Sequence, residues 1–476
     1  MAKIIRCFLL VFAAFNVHAQ DDVWTLQRSI QYAVAHNIDI SQQALNARLA
    51  ALQLQLSRMS QLPGVSVSGN YGFNFGRSID PTTNQFVNTN YSFSGISGNA
   101  DVLLFGWFQK RNTIRQNNLL AQAAQEDYSQ LADDVSLNVA TGFLRALLAK
   151  EQIAVAKNQL DLSVQQQAQT KAFVDAGNKP DLDMEQMNAQ VAADSAGYIG
   201  ALADYQAAIL DLKAMLNLDM KIPFEVAMPG LDQLSYESVI ALNAEQIFEQ
   251  AKAHFGAIKS NDLKIQAAEK GLKAAKGMLY PQFSIGAQVG TNYASSFKEI
   301  TSYKVTGVTP SGNFVNINGA NYDVLQPVVD YNQSTIPFFK QLDNNFRQSF
   351  ALSVSIPLLN GWSARTAVKQ AQLDVESKRL SKYQSEIKLQ QDVYKAYNDA
   401  TSAVQKYYAA KRAAEASEKA FNYAQKRYEL GLMNSVELLA TQNTAFKAET
   451  DATSAKYDMI FKLKVIDYYL GKELKL

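Results

Sequence analysis

Two stretches of this chain, Trp107 to Ala176 and Trp362 to Leu430, contain no proline and only one glycine, Gly142. Proline inside a helix removes a hydrogen bond and clashes with the turn before it, and glycine raises the entropic cost of helix. Both stretches are rich in Ala, Gln, Leu and Lys, which favour helix. Each predicts a helix of about 70 residues, roughly 100 Å long if continuous. Each is followed by a short turn and a return helix, Asp181 to Leu216 and Ser435 to Leu470. Small residues recur, among them Ala121, Ala123, Ala124, Ala409, Ala410 and Ala413, and would let such helices pack closely side by side. A soluble antiparallel coiled coil is one structure that satisfies these features.

The two stretches belong to a duplication. Leu104-Phe105-Gly106-Trp107 matches Leu359-Asn360-Gly361-Trp362 at an offset of 255, and Leu62-Pro63-Gly64-Val65 falls where Tyr280-Pro281-Gln282-Phe283 falls. Ala176-Gly177-Asn178 matches Leu430-Gly431-Leu432 and Leu216-Asn217 matches Leu470-Gly471, both at 254. Four landmarks in one order, three of them at nearly one offset, predict two copies of the same unit. Each copy is expected to run helix, strand, loop, strand, long helix, turn, long helix.

The strands alternate with period two. Val65, Val67, Gly69, Tyr71, Phe73 and Phe75 share one face, and Ser66, Ser68, Asn70, Gly72 and Asn74 the other. Phe283, Ile285, Ala287 and Val289 repeat the pattern in the second half, as do Phe346, Phe350, Leu352, Val354 and Ile356. Tyr91 to Leu104 changes phase near Gly95, which predicts a bulge there. Strands of about 9–11 residues with an apolar outer face suit a tilted membrane span. Tyr71, Phe73, Phe75, Tyr91, Phe93, Tyr293, Phe346 and Phe350 cluster toward the loop ends, where an aromatic girdle would sit. Four such strands cannot close a barrel, whose minimum is about eight, and open edges in lipid are prohibitive. The strands are therefore expected to be shared between copies of the chain.

The amino terminus reads as a secretory signal: basic Lys3 and Arg6, an apolar run from Cys7 to Phe15, then Val17-x-Ala19. Cleavage after Ala19 would remove Cys7, the only cysteine, and leave Gln20, which accepts no lipid. It would leave 43 basic and 44 acidic residues, a balance unlike that of a nucleic-acid binder. The remaining His36 and His254 are read as packing or surface residues, so no metal site and no cofactor are expected. No HExxH, P-loop, GxSxG or CxxC pattern is present, and an enzyme is not expected.

With the order strand, strand, long hairpin written twice, the chain resembles the TolC-like family of outer-membrane efflux proteins. Asn37-Ile38-Asp39-Ile40 resembles the start of that family's first helix, and Leu62-Pro63 its lead into the barrel. Leu104 to Trp107 and Leu359 to Trp362 resemble its strand-to-helix junctions. Tyr428-Glu429-Leu430-Gly431-Leu432 with Ser435-Val436-Glu437-Leu438-Leu439 resembles its periplasmic hairpin tip. Phe75-Gly76-Arg77-Ser78-Ile79-Asp80-Pro81 resembles a loop of relatives from Bacteroidota. The resemblance covers essentially all of residues 22–471.

It implies a mixed α and β fold, in which a shared outer-membrane β-barrel with four strands per chain continues into a long α-helical barrel. It also implies a homotrimer in outer-membrane lipid, with helices reaching into the periplasm, serving as the exit duct for an inner-membrane pump and a periplasmic adaptor. The expected organisation is a signal peptide at 1–19, a first helical segment at 20–61, barrel strands at 62–105 and a helical hairpin at 106–216. A connector at 217–243 leads to a helical segment at 244–279. Strands at 280–358, with a long external loop at 294–345, then lead to the second hairpin at 359–471 and a tail at 472–476. Gly177, Gly431 and Leu432 are expected at adaptor-docking tips. Asp183, Glu437 and Tyr428 are expected at a periplasmic gate, where Met433 replaces the family's arginine. Asn434-x-x-Glu437 also reads as a capping box, and Asp181 and Asp183 suit a helix start. A periplasmic coiled-coil adaptor, or a structural protein without a pore, is the alternative.

Overall fold

The computed structural model describes residues 23–79, 86–88, 90–228 and 242–475. The expected signal peptide and its cleavage site lie outside the described residues, as does the stretch 229–241 of the connector. In chain order the elements are β1 (Val23–Trp24), α1 (Leu26–His36), α2 (Ile38–Met59), β2 (Gly64–Asn74), β3 (Arg77–Ile79), β4 (Phe86–Asn88) and β5 (Tyr91–Phe105). Then come α3 (Gln109–Asp175), α4 (Asp181–Leu216), β6 (Glu225–Val226), α5 (Ala244–His254), α6 (Gly256–Gly277) and β7 (Gln282–Ala294). The chain ends with β8 (Lys298–Ile317), β9 (Ala320–Thr335), α7 (Phe338–Asn344), β10 (Arg347–Ser355), α8 (Ser363–Glu429) and α9 (Ser435–Tyr469).

The duplication is visible in the backbone. Helices α3 and α8 are both unbroken over 67 residues, and their first and last residues correspond at an offset of 254. Both end in paired bonds from the second and third amides beyond: Gly177 and Asn178 to Val174 and Phe173, and Gly431 and Leu432 to Tyr428 and Arg427. This six-to-one closure needs a left-handed residue, and Gly177 and Gly431 supply it at φ +72° and +73°. Asn217 and Gly471 repeat the device at the return-helix ends. Left-handed residues also pair Trp107 with Gly361 and Phe108 with Trp362. The backbone therefore keeps the 254 offset at the strand-to-helix junctions, where side-chain similarity suggests 255.

The chain divides into two compact units, and the division falls inside α2, α3, α6 and α8. The first unit comprises Met1–Leu52, Asn117–Ala268 and Asp374–Leu476. Its largest core is built by Phe143 and Leu147 of α3, Leu212 and Leu216 of α4, Ile247 of α5, and Met459, Ile460 and Ile466 of α9. Each such side chain, fully buried, contributes about 1.5–3 kcal/mol. Trp24 closes this core, stacked on Phe224 at 5.0 Å and edge-on to Tyr32 at 5.3 Å. Gly142, the one glycine of α3, faces α4: a Cβ there would lie 2.8 Å from Met215 Sδ. The close approach of the two helices accounts for a glycine in an otherwise strong helix.

The second unit comprises Gln53–Gln116 and Glu269–Leu373. It holds a four-stranded antiparallel sheet in the order β10-β7-β5-β2. Register places Val65, Val67, Tyr71 and Phe73 on one face with Ile96, Val102, Ile285, Val289, Phe350, Leu352 and Val354. Most of these side chains are exposed, Val67 and Phe350 each at 77%. The opposite face carries Ser66, Ser68, Asn70, Asn99, Gln288 and Ser353.

The phase change in β5 has a different cause from the one expected. Pairing of β2 with β5 runs unbroken through Gly95, and the irregularity lies between Leu103 and Phe105, against β7. Tyr91 and Phe93 instead belong to the polar face, paired with Asn74 and Gly72. The Phe93 ring covers Gly72, where an added Cβ would meet it at 2.8 Å, and Asn74 donates to the Tyr91 hydroxyl at 2.8 Å. These two aromatics are therefore not on the face shared by Tyr71, Phe73, Tyr293 and Phe350.

The segment expected as a long loop is ordered structure. Strands β8 and β9 form a separate two-stranded antiparallel ribbon that turns at Asn318 and Gly319, both left-handed. Its foot is fixed by α7. The buried Gln341 amide donates to Ala294 O and Ile336 O at 3.0 and 2.8 Å and accepts from Ala294 N at 3.0 Å. The shorter connection after β2 also carries a hairpin, β3 with β4, closed by Arg77 over the Phe86 ring.

Candidate gate at the hairpin tips

The tip of each hairpin is set by local sequence. Schellman closures at Gly177 and Gly431 end the long helices. Asn434 then caps α9 by accepting from Glu437 N at 2.8 Å. The two glycines are open, with nothing within 4 Å of an added Cβ, and Leu432 is 65% exposed. Met187 of α4, Phe421, Ala424 and Tyr428 of α8 and Leu438 of α9 form a small apolar core beside the tips.

Tyr428 is the best-fixed of the expected gate residues. It is buried, its hydroxyl lies 2.7 Å from Thr170 Oγ1 of α3, and Phe173 meets its ring edge-on. Lys179 Nζ sits 3.2 Å from the ring centroid and 3.9 Å from Asp183 Oδ2. Asp183 also accepts from Ser435 Oγ at 2.8 Å, and the Gln186 amide lies 2.6 Å from that hydroxyl. At the tips, Tyr428 to Thr170 and Ser435 to Asp183 thus bridge the two hairpins. Glu437 is exposed, and its backbone amide is held by the Asn434 cap.

The acidic pair expected to act alike is therefore unlike: Asp183 is engaged within the chain and Glu437 faces outward. Lys179 is the residue that sequence reasoning missed. Met433 supplies no cation on the second tip, and Lys179, which stands at the equivalent position of the first, supplies one to Tyr428. Its spacing of four from Asp183 was the available signal.

Further up the hairpins the core is polar. Gln159, Ser163, Gln166 and Thr170 recur every three or four residues on α3, and all are buried. Asp194 of α4 accepts from Ser163, from Gln159 at 3.2 Å and from Gln190 at 3.0 Å. Gln442 of α9 donates to Ser163 at 3.1 Å. Hydrogen bonds of this kind are exchanged for bonds to water at small net cost, unlike apolar packing.

Elsewhere, His36 and His254 each bond the carbonyl four residues back, Tyr32 and Gln250, near helix ends. Among the described residues no group of three His, Cys, Asp or Glu could hold a metal ion. No described helix is long and apolar enough to cross a membrane.

A family model described as outer membrane efflux protein matches residues 29–218 and 247–471, one segment for each copy of the duplication. No curated protein sequence matches the chain significantly. Among solved structures, a crystal structure of CusC, from work on folding and transmembrane channel formation, aligns with a TM-score of 0.74 at 16% identity. That alignment covers 94% of this chain and 92% of CusC. VceC of Vibrio cholerae aligns with a TM-score of 0.73 at 12% identity, covering 94% and 96%. The CmeC outer membrane channel of Campylobacter jejuni gives 0.73 at 14%, covering 94% and 85%. At these identities the likeness is one of fold, and it extends over nearly the whole chain. Together with the doubled family match, it shows that this chain belongs to the outer membrane efflux protein family.

Proposed function

We propose that three copies of this chain form an outer-membrane channel, the exit duct of a tripartite efflux or secretion system. One observation carries this: the four-stranded sheet has an exposed apolar face and two unpaired edges, β2 and β10. Lipid tolerates neither an open edge nor a barrel of four strands, and three chains supply twelve. Two helices support the same assembly. Leu45, Leu49, Leu52 and Leu56 of α2 form an exposed stripe at coiled-coil spacing, and so do Leu373, Leu380 and Ile387 of α8. Neighbouring copies would cover both stripes and build a helical tunnel in the periplasm.

In this assembly Tyr71, Phe73, Phe75, Tyr293, Phe346 and Phe350 meet the lipid interface, and residues 294–345 lie outside the cell. Gly177, Gly431 and Leu432 dock a periplasmic adaptor that delivers cargo from an inner-membrane pump. The Tyr428–Thr170 and Ser435–Asp183 bridges hold the tunnel closed, and Glu437 lends the closed end its charge. A periplasmic adaptor would have no use for a sheet whose apolar face is bare.

Recording from the purified protein in planar bilayers tests this proposal. The wild type should give discrete, cation-selective steps. Glu437→Gln should lower cation selectivity, and Asp183→Asn should instead raise the open fraction. Membrane-inserted protein that passes no current would contradict a duct.

A further inference from the structure

The β8–β9 ribbon is long, amphipathic and uncovered. Tyr303, Val305, Val308 and Phe314 of β8 lie in register with Tyr331, Val329, Pro327 and Asp323 of β9. Three irregularities in β8 keep this face continuous. At two of them Thr301 and Thr306 turn their hydroxyls to Asn332 O and Val328 O, at 3.1 and 3.3 Å. From the foot to Thr309 and Gln326 the opposite face is polar apart from Val328, which pairs with Gly307: Lys304 opposes Asp330, and Asn332 donates to Ser302 at 3.0 Å. Tyr303, Val308, Phe314, Leu325 and Tyr331 are each more than half exposed.

A lone two-stranded ribbon is marginal in water, and a bare apolar face this long marks a contact surface. Its foot is not loose, because the Gln341 bonds and Lys340 to Glu299 at 2.7 Å fix where it leaves the sheet. It leaves between β7 and β10, and β10 is a free edge of the sheet. One face of such a strand pair, roughly 60 Å by 10 Å, offers roughly 600 Å². A stable interface between free proteins needs about 800 Å² per partner. The ribbon face is thus small for capturing a free partner but sufficient for a neighbour already held nearby.

We infer that the ribbon is an intersubunit element. The apolar faces of ribbons from adjacent copies pack against each other, forming a collar beyond the sheet with the Lys304–Asp330 face toward water. This rests on the shared barrel proposed above, but it can fail separately.

The test uses the full chain in outer membranes, with Cys7→Ala removing the only native cysteine. Under mild oxidation Val308→Cys, and independently Tyr331→Cys, should convert most of the chain to a disulfide-linked dimer. Gln326→Cys, on the other face, should give none. Native mass of the detergent-extracted protein is measured alongside. A three-copy mass with no cross-link at Val308→Cys or Tyr331→Cys, or with equal cross-linking at Gln326→Cys, overturns the collar and leaves the shared barrel standing. A one-copy mass overturns both.

Discussion

Asp133 sits on α3 beside a cavity of about 210 Å³ lined also by Gln27, His254, Tyr468, Lys472 and Glu473. Partial burial, reinforced by the Asp134 charge and opposed by His254, pushes its carboxyl above the ordinary 3.8. Nearby, burial pushes the Tyr469 hydroxyl up to about 12. Because the raised Asp133 value belongs to the folded state, the folded protein holds that proton at pH values where the unfolded chain has lost it. Stability therefore falls as pH rises through this window, and the full penalty is present at neutral pH. Asp133→Asn should raise the thermal midpoint at pH 7, and the gain should vanish below about pH 4. A gain that persists in acid would point to packing instead. At the tip, Tyr428→Phe removes the bond to Thr170 and should cost about 1 kcal/mol of local stability. In bilayer recordings it should raise the open fraction without altering conductance; an unchanged open fraction would remove Tyr428 from the gate.

At the scale of elements, legibility followed uniformity. Strand β2 was readable because Val65 to Phe75 alternate without interruption. In β5, Tyr91 and Phe93 look apolar in sequence but lie on the polar face, because Gly72 leaves room for the Phe93 ring. The β8–β9 ribbon was hidden because extra residues at Thr301 and Thr306, and again after Pro310, reset the alternation. Asn318-Gly319 was its one clear mark, since that pair favours the left-handed turn of a hairpin. The long helices were legible almost to the residue, and the tips were located by Gly177 and Gly431. What the tips contact was not, because Thr170, Ser435 and Lys179 are brought to Tyr428 and Asp183 only by packing of four helices. The tip glycines give an element-level prediction. With no atom near an added Cβ, the cost of substitution is the left-handed backbone alone. Gly431→Val should lose about 1–2 kcal/mol, and Gly431→Asn distinctly less, in thermal unfolding. Equal losses would mean that the turn itself is not what glycine serves.

For the whole molecule, the duplication accounts for the surfaces that one chain leaves open. Each copy of the unit contributes two strands and one long hairpin, and two copies give a sheet that stops at β2 and β10 with both edges open. The exposed leucine stripes of α2 and α8 are also unmatched within the chain. In the assembly proposed above, further copies of the same chain would cover all of these surfaces at once. A closed ring of copies is the economical symmetric solution. Two copies would give the minimum barrel, with side chains filling its interior, and three would give a lumen. Native mass measurement of the protein extracted from outer membranes in mild detergent tests this most directly. The mass should correspond to three chains, and a stable single chain would contradict the shared barrel.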